Sequence, residues 1–212
     1  MVYLPTVFVI DDDPAFCQSL RMLLDAAGLR VEDYLSAESF LQAACAQRPG
    51  CLLLDVRMPG WSGLELQGHL NNKRIDLPII FITGHGDIPM AVRAVKAGAL
   101  DFLEKPLDAE VLLDRVEVAL EIDAKRRQSE AKRTQSRARI ARLTLRERQV
   151  MELVAVGRSN KQIALLLQIS HRTVEIYRAR LMEKLQTKSL SELIRMAVAY
   201  EESGRGGFEA TG

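Results

Sequence analysis

Short apolar runs alternate with amphipathic stretches over the first part of the chain. Thr6 to Asp11 (TVFVID) is a β-branched apolar run ending in acid, and Asp12 and Asp13 follow. Pro14 then marks a helix start, where its missing N–H costs nothing. Phe16, Leu20, Leu23 and Leu24 give that helix one apolar stripe, and Gly28 ends it. Val31 to Leu35 reads as a second strand. Ser36 caps a helix to about Cys45, and Arg48, Pro49 and Gly50 turn into a third strand, Cys51 to Asp55. After a loop through Arg57, Met58, Pro59 and Gly60, Ser62 and Glu65 form an S-x-x-E capping box. Leu77 to Ile82 is a fourth strand, opened by Pro78 and followed by Thr83, Gly84, His85 and Gly86. Asp87 and Pro89 start a helix through Ala97, ended by Gly98. Leu100 to Leu103 is a fifth strand; Glu104, Lys105 and Pro106 follow, and Asp108 caps the next helix. Strands alternating with helices predict an α/β domain with a parallel sheet covered on both faces. Without a G-x-G-x-x-G after the first strand, a flavodoxin-like (βα)5 order is favoured over a dinucleotide-binding one.

Beyond Pro106 there is no Gly or Pro for a long stretch, and apolar residues stop at about Ile122. Residues 123–142, DAKRRQSEAKRTQSRARIAR, hold eight Lys/Arg and two Asp/Glu. The pattern predicts a long helix running out into an exposed, basic helical linker; a flexible charged tether is the alternative. Ala131 and Ala138 are too sparse for a strong coiled coil.

Residues 143–202 are helical throughout by pattern. Thr144 and Glu147 form a capping box, Leu145, Val150, Leu153 and Val154 an inward stripe, and Gly157 a stop. Ser159 and Gln162 open a second helix with Ile163, Ala164 and Leu167 inward. Ser170 caps a third, and Ser189 with Glu192 a fourth holding Leu193, Ile194, Ala197 and Val198. The tail from Ser203, SGRGGFEATG, has the composition of a disordered segment. The expected organisation is a domain at 1–122, a linker at 123–142, an all-α four-helix domain at 143–202 and a tail at 203–212.

Charge separates the two halves. Residues 1–122 hold 10 Lys/Arg against 18 Asp/Glu, a net −8, and residues 123–212 hold 19 against 10, a net +9. An acidic half joined to a basic half implies two partners, and the basic half points to nucleic acid. No apolar run approaches the ~20 residues of a membrane span, and no secretory signal is visible. Three cysteines, Cys17, Cys45 and Cys51, lack metal-like spacing and suit free thiols, so a cytoplasmic location is expected.

Reactive residues gather at strand ends. In an open α/β sheet, ligands bind outside the carboxyl ends of the strands. Asp11 and Asp12 end the first strand, Asp55 the third, and Thr83 and Lys105 follow the fourth and fifth. Neighbouring carboxylates repel and need a cation, and hard oxygens with open positions suit Mg²⁺. Asp12, Asp55 and the Arg57 backbone carbonyl would bind it directly, and Asp11 through water. Asp55 would act as nucleophile toward a phosphoryl donor, Lys105 would stabilise the transferring oxygens, and the Thr83 hydroxyl would meet the phosphoryl group once loaded. Singly, each residue is an ordinary turn former; only the combination carries the chemistry.

In the basic half, the helices Asn160–Gln168 and His171–Leu185 have a helix-turn-helix layout. Val174, Tyr177, Leu181 and Leu185 would face the core. Arg172, Glu175, Ile176 and Ala179, with Thr173 beside them, would face a major groove. Lys161, Arg178, Arg180, Lys184 and Lys188 would reach phosphates. A basic helical bundle that binds protein is the other reading of the same periodicity.

VFVIDDD, LLLDVRMPG, IIFITGHGD and DFLEKP resemble the receiver domain of two-component response regulators over about residues 4–122. The resemblance implies that Asp55 is phosphorylated, that Asp11, Asp12 and Asp55 hold Mg²⁺, that Thr83 and Phe102 are switch positions, and that the Lys105–Pro106 bond is cis. Many relatives have Tyr where Phe102 stands, so an outward hydroxyl is absent here; ordinary core packing is the other role open to Phe102. His85, in the loop after Thr83, is expected to pack the loop or meet solvent, with a direct role in phosphotransfer as the alternative. LTLRERQVMELVAVGRSNKQIA and LLLQISHRTVEIYRARLMEKL resemble the LuxR-type DNA-binding domain over about 143–200, with Ala179 departing from a position that is polar in many relatives. Together they resemble the NarL/FixJ group. That group implies a sensor histidine kinase, double-stranded promoter DNA and RNA polymerase as partners, a switch on phosphorylation by homodimerisation through roughly Ile88 to Leu120 or by interdomain release, an activator and not an enzyme. An Asp-nucleophile phosphohydrolase is the rival class. Such enzymes carry a second Asp two residues on, where this chain has Arg57.

Overall fold

The computed structural model describes residues 4–43, 48–84 and 88–205. Cys45, His85, Gly86, Asp87 and residues 206–212 therefore lie outside the described residues. The chain divides into two compact units, 1–128 and 129–212.

The first unit is a five-stranded parallel sheet in the order β2-β1-β3-β4-β5. Its strands are β1 (Thr6–Ile10), β2 (Arg30–Tyr34), β3 (Gly50–Asp55), β4 (Ile79–Thr83) and β5 (Asp101–Glu104). β1, β3 and β4 are buried from end to end, which is why they read as unbroken apolar runs rather than as alternation. The period-2 alternation still sorts their side chains. Phe8, Ile10, Leu52, Leu54, Ile79 and Phe81 point into one core cluster, and Val7, Val9, Cys51, Leu53, Ile80 and Ile82 into the other.

Helices cover both faces. The first cluster takes Phe40 from α2 (Ala37–Gln42), Leu66 and Leu70 from α3 (Gly63–Asn72) and Ala94 from α4 (Ile88–Lys96). The second takes Leu20 and Leu24 from α1 (Pro14–Ala26), and Leu112, Val116 and Ala119 from α5 (Ala109–Ala141). The expected caps form, Ser36 accepting from Ser39 and Ser62 closing a reciprocal box with Glu65; Asp13, before Pro14, adds a cap by accepting from the Ala15 and Phe16 N–H groups. The Asp108 carboxylate accepts from Glu110 and Val111 at 2.9 and 3.1 Å.

α5 differs from the expected exposed run after Ile122. Asp123 is 1% exposed and belongs to the first unit. Its carboxylate accepts from the Gly50 N–H at 2.9 Å and from the guanidiniums of Arg126 and Arg127, both at 2.7 Å. The compact unit therefore continues six residues past the expected limit, to 128. At the other end of the helix, Ile140 is fully buried in the core of the second unit.

The second unit adds α6 (Leu145–Ala155), α7 (Asn160–Leu167), α8 (His171–Leu185) and α9 (Leu190–Arg205). Val150, Val154, Ile163, Val174, Leu181, Leu185, Leu193 and Ala197 build its core. Capping boxes open α6 and α7. Leu145, expected inward, is 74% exposed: it sits at the first helical position, before the buried stripe begins. The tail expected from Ser203 is helical through Arg205: α9 takes in Gly204 before it ends.

Candidate functional site

The parallel sheet brings Asp11, Asp55 and Lys105 together at its C-terminal edge. Asp11 follows β1 and Asp55 ends β3, its neighbour in the sheet; both are buried. Lys105 follows β5 at the sheet's far side, and its long side chain reaches back. Its Nζ donates to Asp11 Oδ2 at 2.7 Å and to Asp55 Oδ1 at 3.1 Å. Asp55 Oδ2 also accepts the Arg57 backbone N–H at 2.6 Å, and Asp11 Oδ1 accepts the Asp13 N–H at 2.9 Å. The Cys17 thiol donates to the Asp11 carbonyl at 3.4 Å, and burial first, then the Asp11 charge, pushes that thiol up to about 11. Burial raises the Asp55 carboxyl above the usual carboxylate range, although the hydrogen bond and charge of Lys105 pull the other way. Burial alone would lower Lys105, but its bonds to Asp11 and Asp55 more than offset that and raise it. The result is a buried acid held against a cation.

Thr83 is buried as the last residue of β4, and its carbonyl accepts the Lys105 N–H at 2.7 Å, so the two residues share one backbone joint. The Lys105–Pro106 bond is cis. Phe102 is half-buried, packed on the first core cluster with its ring centroid 6.3 Å from that of Phe81. Asp12 is exposed beside the pocket. Among the described residues, no three of His, Cys, Asp and Glu stand together as a metal-holding group.

In the second unit, α8 turns Val174, Leu181 and Leu185 inward, with Tyr177 partly covered. Arg172, Glu175, Ile176, Ala179 and Arg180 are exposed, as are Lys161 and Lys188, while Thr173 is half-buried. Glu175 pairs within the helix with Arg172 at 3.3 Å and His171 at 3.5 Å. Two of the expected phosphate contacts are engaged elsewhere. Lys184 Nζ binds the buried Glu147 carboxylate at 2.8 Å, and Arg178 donates to Asn160 Oδ1 at 2.7 Å. Burial alone would raise Glu147, but Lys184 and the Thr144 cap outweigh it and hold the carboxyl low. Each of these two cations has a polar partner on another helix of the unit, and Lys184 stays exposed while making its pair.

Two family models match the chain. Residues 7–117 match the response regulator receiver domain, and residues 141–197 match the bacterial regulatory proteins of the luxR family. The transcriptional regulatory protein FixJ of Azorhizobium caulinodans is 48% identical over 91% of this chain and 91% of its own length. The chain belongs to the FixJ-type response regulators. The response regulator protein TodT of Pseudomonas putida is 41% identical over 93% of the chain and 87% of its own length. Among solved structures, that of the response regulator StyR matches with a TM-score of 0.81 and 47% identity, covering 91% of this chain and 97% of that one. Full-length FixJ from B. japonicum matches with a TM-score of 0.57 and 45% identity, covering 94% and 98%. The chain is thus a phosphorylation-dependent, DNA-binding transcription regulator.

The donor set of this response regulator fits a hard divalent ion in kind: two buried carboxylates already converge on one cation. The structure also names a residue that sequence reasoning missed. A Cβ on Gly63, the first residue of α3, would lie 2.2 Å from the Asp55 carbonyl oxygen and 3.0 Å from the Leu54 and Phe81 side chains. Gly63 lets α3 press against the strand end that carries Asp55. The only hint in the sequence was its place just after the Ser62 cap.

Proposed function

We propose that Asp55 is the phosphoacceptor of this regulator. The observation that carries the reading is the convergence of Asp11 and Asp55 on the Lys105 ammonium at the C-terminal edge of the sheet. A sensor histidine kinase presents a phosphorylated imidazole. A carboxylate oxygen of Asp55 forms the new bond to phosphorus as the bond to the imidazole nitrogen breaks. Lys105 meets the charge spread over the transferring oxygens, and the Arg57 N–H holds the other Asp55 oxygen in place. Asp12 and Asp55 with the Arg57 carbonyl directly, and Asp11 through water, would hold Mg²⁺. The ion supplies further neutralisation of the phosphoryl oxygens. The site switches state and releases no product of its own, so the protein is not an enzyme in the ordinary sense.

Loading draws Thr83 inward, and the α4–β5–α5 face rearranges to pair two receivers. The paired second units meet half-sites about one helical turn apart, with α8 in the major groove of double-stranded promoter DNA. Arg172, Thr173, Glu175, Ile176 and Ala179 face base edges; Lys161, Arg180 and Lys188 reach phosphates. RNA polymerase is then recruited, and the setting is cytoplasmic. No helix among the described residues is long and apolar enough to cross a membrane.

The test is intact mass and light scattering after incubation with acetyl phosphate and Mg²⁺. A labile gain of one phosphoryl group in wild type but not in Asp55→Asn, with a shift from monomer to dimer, is expected. A gain retained in Asp55→Asn would refute the assignment.

A further inference from the structure

Lys105 has a third neighbour besides its two carboxylates. Its Nζ lies 3.8 Å from the centroid of the Phe16 ring. An ammonium carries three N–H donors. Two are met by Asp11 and Asp55 at 2.7 and 3.1 Å, and the ring face lies against the same nitrogen. The apolar stripe of α1 had assigned Phe16 to the core with Leu20 and Leu24. Those two are buried, whereas Phe16 is only half-buried, at the end of α1 that abuts the pocket.

The placement of the ring is over-determined. Asp11 Oδ1 accepts the Asp13 N–H at 2.9 Å, and the Asp13 carboxylate caps α1 by accepting the Ala15 and Phe16 N–H groups at 2.9 and 3.3 Å. The other oxygen of Asp11 accepts from Lys105. A closed circuit therefore runs from Asp11 through Asp13 to Phe16, across the ring to Lys105 and back to Asp11.

We propose that Phe16 is a positioning residue for phosphoryl transfer, its ring face holding the Lys105 ammonium over the two acids and keeping water from taking its place. The proposal rests on the reading of Asp55 as phosphoacceptor. A lysine side chain is a flexible four-carbon stem with a strongly hydrated head, and its side chain here is 23% exposed. Left to two carboxylates alone, the head would exchange one of them for water. The ring offers an attractive quadrupole that water does not displace. During loading from acetyl phosphate, an Asp55 carboxylate oxygen bonds to phosphorus, the bond from phosphorus to the acetyl oxygen breaks, and acetate leaves with the electron pair. No proton is transferred, so the contribution of Lys105 is the placement of its charge, which is what Phe16 governs.

The experiment compares the full chain as wild type, Phe16→Leu, Phe16→Tyr and Phe16→Met. It reads the loading rate from acetyl phosphate and Mg²⁺ by intact mass, and the Lys105 Hε resonance by NMR. Loading is expected to slow about three- to tenfold in Phe16→Leu and to stay within about twofold of wild type in Phe16→Tyr. The Lys105 Hε resonance, shielded by the ring current, should move downfield in Phe16→Leu and keep its position in Phe16→Tyr. A purely structural role would not track the presence of a ring in this way. Phe16→Met fills the space without a π face and carries the same expectation should Phe16→Leu fail to fold. Wild-type loading in Phe16→Leu or Phe16→Met, or equal slowing in Phe16→Leu and Phe16→Tyr, overturns the proposal. Absence of loading in wild type overturns the Asp55 assignment itself, and the role of Phe16 with it.

Discussion

The Asp123 carboxylate accepts the Gly50 backbone N–H at 2.9 Å, joining α5 to the first residue of β3. The same carboxylate holds Arg126 and Arg127, and Arg127 also donates to the Arg48 carbonyl. This network lies at the end of β3 opposite Asp55. It binds α5 to the base of the sheet at the inward position that follows Val116 and Ala119, one residue after Ile122.

Asp123→Ala should therefore destabilise the first unit by about 2–4 kcal/mol, because a buried N–H loses its acceptor and two guanidiniums lose one of theirs at once. Asp123→Asn should cost less, since its amide oxygen still accepts from Gly50. The check is the urea midpoint followed by fluorescence of Trp61, the chain's only tryptophan. Equal midpoints for wild type and Asp123→Ala would show that the network contributes nothing.

Glu32 supplies a pH dependence. Arg48 hydrogen-bonds its carboxylate with two nitrogens at 2.7 Å and holds its pKa down to about 2, against an ordinary 4.5. A carboxyl depressed by folding contributes stability that is fully present above about pH 4.5 and lost as pH falls toward 2. With solvent screening at this partly exposed pair, the contribution is about 1–2 kcal/mol. Glu32→Gln should remove that much at neutral pH and flatten the acid limb of the first unit's stability curve. An acid limb of unchanged slope would assign the loss of stability to other carboxylates.

Gly63→Ala should act on the phosphoryl chemistry through the Asp55 backbone. Its new methyl would meet backbone at 2.2 Å, so either the end of β3 or the start of α3 must move. A cost of about 1–3 kcal/mol is expected, together with slower loading of Asp55. Measuring loading well below the unfolding midpoint separates the two effects; a destabilised variant that loads at the wild-type rate would mean that α3 yields instead of Asp55.

On α8, cations of the same charge should behave differently. Arg172→Ala and Arg180→Ala should leave the second unit's stability within about 0.5 kcal/mol and weaken DNA binding. Arg180→Ala should lower the salt slope by about 1, since one phosphate is no longer neutralised, whereas Arg172→Ala should relax the preference for base sequence. Lys184→Ala should cost about 1–2 kcal/mol of stability, discounted for its exposure, by leaving Glu147 buried without its ammonium. Binding isotherms at several salt concentrations beside a thermal melt would decide. A Lys184→Ala variant of unaltered stability and reduced salt slope would return Lys184 to the phosphate-binding set.

The strands, helices and caps were legible from the sequence because each is a local matter. β1, β3 and β4 are continuous apolar runs, Ser62 and Glu65 are three residues apart, and Gly28 and Gly157 stand directly after the helices they end. The parallel order followed from the alternation of strand and helix, and it was enough to send Asp11, Asp55, Thr83 and Lys105 toward one edge. Tertiary structure alone decided which of them touch. It put the Lys105 ammonium between Asp11 and Asp55, left Asp12 exposed, set Phe16 beneath the ammonium, and paired Lys184 with Glu147 and Arg178 with Asn160. It also drew Asp123 and Ile140, at the two ends of a basic polar stretch, into separate interiors. Periodicity reports which face of an element is apolar. Which polar partner a buried charge meets depends on residues tens of positions away, brought near only when the packed core fixes their separation.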